Sequence, residues 1–118
     1  MKYFSPEETR LIQQIRNQIL DVDPDAEIIL YGSRARGDVH DESDWDILIL
    51  LDRDHVSRSD EQPFRHRIID IEMEYGQPIS VFVLSKSDWL GKHSITPFYE
   101  SVTTEGLIID EKIESRIH

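Results

Sequence analysis

The sequence predicts a small α/β protein of mixed α+β character, a mixed sheet flanked by helices, and three observations carry that expectation. Two long segments place apolar residues at helical spacing, and three short apolar runs stand apart from them. The segments also follow one another as helix, strand, helical turn, strand, helix, strand and helix, an order that suits one sheet with helices laid upon it.

The first helix is signalled at Ser5-Pro6-Glu7-Glu8. Ser5 can cap, Pro6 suits the first helical position, and Glu8 completes a capping box. Leu11, Ile12, Ile15, Ile19 and Val22 then form one apolar stripe, which the Asp- and Pro-rich residues 21–25 end. Residues 26–31 read as a short buried strand running into a glycine turn. Residues 45–51, WDILILL, are the most apolar stretch and predict a central strand covered on both faces. Residues 58–75 carry Phe64, Ile68, Ile71 and Tyr75 at helical spacing, with Pro63 blurring the start and Gly76 marking the end. A third strand is expected over 79–84, a short helix over 96–102, and a last apolar piece over 107–109. Repeats, linkers and low-complexity segments are absent from the sequence, so residues 1–118 are expected to form a single domain.

Twenty-four acidic against thirteen basic residues give a net charge of −11. Such a field repels polyanions, so nucleic acid is not the expected partner, whereas a nucleotide carried in as its metal complex meets less of that penalty. Acidity is also a common route to solubility. No apolar run reaches the roughly 20 residues of a membrane span. The first residues lack a signal core, and cysteine is absent, so disulfides and thiolate metal sites are excluded and a cytoplasmic protein is expected.

The chemistry concentrates between residues 32 and 50. Gly32 lets the chain turn tightly and approach a ligand, while Ser33 and the following amides can aim donors at a phosphate. Taken alone this is also an ordinary strand-to-helix turn. Asp44 and Asp46 follow on a predicted strand, where residues two apart share a face about 7 Å along the chain. They can therefore converge on one or two divalent cations, and magnesium, or manganese, fits such oxygen ligands together with substrate phosphates. Asp44 after Ser43 could be a simple turn residue, but that leaves Asp46, between Trp45 and Ile47, unexplained.

This stretch, GSRARGDVHDESDWDILIL, resembles the GSxxxG…SDxD signature of the polymerase-β-like nucleotidyltransferase superfamily. It is most similar to the minimal nucleotidyltransferase group, whose members are small domains of about this length. The resemblance implies the nucleotidyltransferase fold over most of the chain, with Gly32 and Ser33 binding nucleotide phosphates, Arg34 or Arg36 steadying a triphosphate, and Asp44 and Asp46 holding magnesium. It also implies attack by an acceptor hydroxyl on the α-phosphate of a nucleoside triphosphate, ATP first among them, with pyrophosphate leaving. Members of that group serve as antitoxins beside a HEPN-type helical protein, some by attaching AMP to it, while larger relatives modify aminoglycosides.

One position departs from the pattern. A third carboxylate is expected on the next strand, and Ser80 stands there. Asp70, Glu72 and Glu74 lie just upstream, where one could reach in. Two functions follow: transfer of a nucleotide to a protein partner or small hydroxylated acceptor, or a catalytically weakened module that neutralises a partner by contact. The bland alternatives concern the remaining residues. Arg34 and Arg36 could pair with Asp38, Asp41 or Glu42. The five histidines lack metal spacing, Trp45 and Trp89 are expected in the core, and residues 52–55 and 65–67 read as solvated surface.

Overall fold

The structure, a computed structural model, describes residues 4–37 and 44–113. Helix α1 (Pro6–Val22) starts where its sequence caps it, with Glu8 N–H donating to Ser5 Oγ at 3.0 Å and Ser5 N–H donating to the Glu8 carboxylate at 2.9 Å. Strand β1 (Glu27–Tyr31), the single turn α2 (Ser33–Arg36) and strand β2 (Trp45–Leu51) follow. Helix α3 (Arg58–Tyr75) leads to β3 (Ile79–Ser85), and α4 (Lys86–Leu90), a 3-10 turn (Lys92–Ile95), α5 (Pro97–Glu105) and β4 (Leu107–Ile108) complete the described chain.

The strands form one mixed sheet in the order β3-β2-β1-β4. β1 runs antiparallel to both β2 and β4, and β2 runs parallel to β3. α3 makes the crossover that a parallel pair requires. β2 is interior, and side chains alternate across a strand, so its two sets of residues meet two different layers. Trp45, Ile47, Ile49 and Leu51 pack with Leu11, Ile12, Ile15 and Ile19 of α1 and Phe64, Ile68 and Ile71 of α3. Leu48 and Leu50 pack on the other face with Ile29, Trp89 and Val102. Asp46 has the parity of Leu48 and Leu50. It therefore lies, half-buried, on the face with the smaller cover.

Helix α3 takes the bounds its spacing predicts, and two later segments go beyond the sequence expectation. Helix α3 runs through Pro63, because Ser57 and Asp60 form a capping box that fixes its start ahead of the proline. The cost is one backbone bond in the second turn, not a break. Residues 86–95, which carry no strong apolar period, form α4 and the 3-10 turn, with Ser85 capping α4 through Asp88 N–H at 2.9 Å. The last apolar piece pairs with β1 as β4, two residues long and thus too short for an alternation pattern to reveal.

Candidate active site

β1 delivers the chain to a turn that only glycine permits. Gly32 has φ +76°, and a Cβ built there would collide with the Asp46 carboxylate. The positive φ alone would cost a side chain about 1–2 kcal/mol, and a Cβ would in addition push the Asp46 carboxylate away from the turn. Ala35 and Arg36 N–H both donate to the Gly32 carbonyl at 3.1 Å, and Gly37 N–H donates to Ser33 O at 2.9 Å. The Ser33 amide, ahead of these bonded groups, opens the helical turn and can meet an anion.

β2 brings the carboxylates to that turn. Tyr31, Asp46 and Ser80 are register partners across β1, β2 and β3, so one rung of the sheet carries all three. Asp44, two residues before Asp46, faces the same way, and Ser80 Oγ donates to its Oδ2 at 3.5 Å. Burial raises the Asp46 pKa above the ordinary carboxylate value; the nearby Asp44 charge raises it further, and the Arg36 charge works against both. The Tyr31 hydroxyl is pushed up to about 12, first by burial and then by Asp46. A half-buried carboxylate beside a second one is short of positive charge.

The two arginines of the turn take different places. Arg34 is only 4% exposed, and its guanidinium pairs with Glu8 at 3.0 Å, reaches Gln77 Oε1 at 3.4 Å, and lies 4.6 Å over the Trp45 ring. That burial corrects the expectation for Arg34: it fastens α2 to α1 and to the start of β3, with no surface left for a triphosphate. Arg36 is 41% exposed, pairs with Glu105 at 3.2 Å, and acts on Asp46. Asp38, Asp41, Glu42, Ser43, His40 and His118 lie outside the described residues.

None of the upstream acids joins the pair. α3 packs against the opposite face of the sheet, where the Glu72 carboxylate accepts Ile79 N–H at 3.0 Å, while Asp70 and Glu74 face solvent. Among the described residues no cluster of three or more metal-ligating side chains occurs. Trp45 and Trp89 are core residues, and His55 and His66 are exposed. Arg65 and Arg67 are taken up by Glu61 and Asp21. Two residues of the site were missed from sequence: Tyr31, which strand parity could have placed beside Asp46, and Glu105, which only the tertiary fold brings to Arg36.

A family model described as nucleotidyltransferase domain matches residues 12–110, from within α1 to just past β4. The chain belongs to the nucleotidyltransferase domain family. The resemblance read from residues 32–50 thus holds across nearly the whole sheet. Two solved structures share the fold of this nucleotidyltransferase domain at 18% identity. One, a toxin–antitoxin crystal structure with AMP-PNP, aligns over 90% of this chain and 79% of its own, with a TM-score of 0.56. The other, a mutant of the toxin–antitoxin pair MntA-HpeT, aligns over 93% and 78%, with a TM-score of 0.50. No curated protein matches the sequence. Among the described residues no helix is long and apolar enough to cross a membrane.

The donor set suits a hard divalent cation that arrives with its nucleotide. Two carboxylates supply oxygen ligands and part of the charge, which leaves places for phosphate oxygens and water, the coordination magnesium prefers. The raised Asp46 pKa marks the same need, since a cation there would relieve the repulsion from Asp44.

Two outcomes test this geometry. Arg34→Ala should lower stability by about 2–4 kcal/mol, near the cost of breaking a buried pair, whereas Arg36→Ala should change it by less than about 1 kcal/mol; urea denaturation of both variants measures the contrast. The folded-state pKa of Asp46 lies above its unfolded value, so the folded protein binds the extra proton and loses stability as pH rises through that window. Asp46→Asn should therefore be more stable than wild type near neutral pH in EDTA, and the difference should vanish below the ordinary carboxylate range.

Proposed function

We propose that this nucleotidyltransferase domain transfers a nucleoside monophosphate, AMP from ATP, to a hydroxyl on a protein partner or small acceptor, and that it acts as the antitoxin beside a HEPN-type helical toxin. The observation that carries the proposal is the contact of the Asp46 carboxylate with the Gly32 turn, which sets an acidic pair directly against a phosphate cradle. The toxin–antitoxin setting of both structural relatives, one with an ATP analogue, supports the context.

In this proposal the Ser33 amide and hydroxyl hold the β- and γ-phosphates, and exposed Arg36 steadies their charge. Asp44 and Asp46 would hold magnesium or manganese. When bound there, the metal neutralises charge at the α-phosphate and favours the ionised form of the attacking hydroxyl. The acceptor oxygen attacks the α-phosphorus, the bond to the β-phosphate oxygen breaks, and pyrophosphate leaves. Tyr31, whose hydroxyl pKa is pushed up to about 12, stays protonated and does not act as a base. The net charge of −11 disfavours a polyanionic acceptor.

Ser80 favours a second function. Where a third carboxylate would help position the acceptor, a hydroxyl supplies no charge, and a weakened domain could still neutralise its partner by contact.

Incubation with α-labelled ATP, magnesium and the co-expressed partner or a host extract separates the two. Label should reach one acceptor with wild type and disappear with Asp44→Asn/Asp46→Asn, while Arg36→Ala should raise the KM for ATP. A double variant that still protects cells from the toxin would mean that contact suffices.

A further inference from the structure

Ser80 lies beside the carboxylate pair, in register with Asp46 and within reach of Asp44. The sheet order β3-β2-β1 puts the Gly32 turn on one side of the carboxylate strand and Ser80 on the other. Neighbouring strands lie about 4.8 Å apart. Phosphoryl transfer places attacking and leaving oxygens on opposite sides of the phosphorus. If the leaving phosphates occupy the turn beyond β1, the attacking oxygen belongs on the β3 side. Ser80 pairs with Asp46 in the β2–β3 register, and its Oγ points to Asp44 Oδ2 at 3.5 Å. The residue is exposed, and β3 is an edge strand, so nothing described lies beyond it in the sheet. A hydroxyl held in that place attacks without the entropy cost of gathering a second molecule.

We propose that Ser80 is a self-acceptor: with no external acceptor bound, the domain nucleotidylates its own Ser80. The idea rests on the nucleotidyl-transfer function proposed above. Ser80 Oγ forms a bond to the α-phosphorus of the nucleoside triphosphate, and the bond from that phosphorus to the bridging oxygen breaks with its electron pair leaving on pyrophosphate. The hydroxyl proton passes to Asp44 Oδ2 and from there to water, which reaches both exposed side chains. The product is a serine–AMP phosphodiester beside the carboxylates, where it blocks a second nucleotide. Self-modification would then switch off transfer until the diester is removed.

Intact-mass spectrometry of the purified full chain after incubation with ATP and magnesium tests the proposal, with calorimetric AMP-PNP binding measured on the same preparation. The expected result is one AMP per chain, mapped by fragmentation to Ser80, absent from Ser80→Ala, retained in Ser80→Thr, and accompanied by at least a tenfold loss of AMP-PNP affinity in the modified chain. A chain that binds AMP-PNP yet stays unmodified, or is modified at another residue, overturns the self-acceptor role and leaves the transfer function standing. A chain that neither binds nor is modified overturns both.

Discussion

The Asp46 carboxylate rests against the backbone of Gly32, and the rest of the site is arranged around that contact. It joins the end of β1 to the start of β2 in the antiparallel pair, and it fills the volume a side chain at residue 32 would need. The turn and the acidic pair are consequently one object. A carboxylate in this place is poorly solvated and lies near a second negative charge, so the folded chain keeps it at a cost that a bound cation would offset. Destabilisation confined to a functional site, with the scaffold built to tolerate it, is the pattern expected of a binding cleft.

That scaffold is asymmetric. One face of the sheet carries two long helices and a continuous apolar core, while the other has the lighter cover of α4, α5 and an aromatic cluster in which Phe98 touches Trp89, Phe82 and Tyr31, the register partner of Asp46. Arg34 extends the heavy side into the turn itself: its pairing with Glu8 and its place over the Trp45 ring anchor α2, and with it the turn that Ser33 opens. Arg36, two residues on, is left toward solvent and the acidic pair. Two arginines of one short turn thus divide support from electrostatics.

Most of this was legible in the sequence because the signals were local. The Ser5 capping box, the helical stripe from Leu11 to Ile19 and the run from Trp45 to Leu51 each specify an element without reference to distant residues, and the separation of Gly32-Ser33 from Asp44 and Asp46 indicated the family. What escaped depended on tertiary placement. Two arginines in one turn look alike on paper, and only the arrival of Glu8, Gln77 and Trp45 around one of them buries Arg34. Pro63 left the start of α3 open, and the Ser57–Asp60 cap fixes it ahead of the proline. β4 owes its existence to the free edge of β1, whereas Ser80, singled out in the sequence, does pair with Asp46 across β2 and β3.

Binding of AMP-PNP by Gly32→Ala, compared with wild type by calorimetry with and without magnesium, tests the central contact most directly. With far-UV circular dichroism showing the sheet and helices intact, wild type should bind only in the presence of magnesium, and the alanine, by displacing the Asp46 carboxylate from the turn, should abolish that binding. Wild-type affinity in Gly32→Ala, or binding indifferent to magnesium, would contradict a cleft in which the turn and the carboxylate pair act as one.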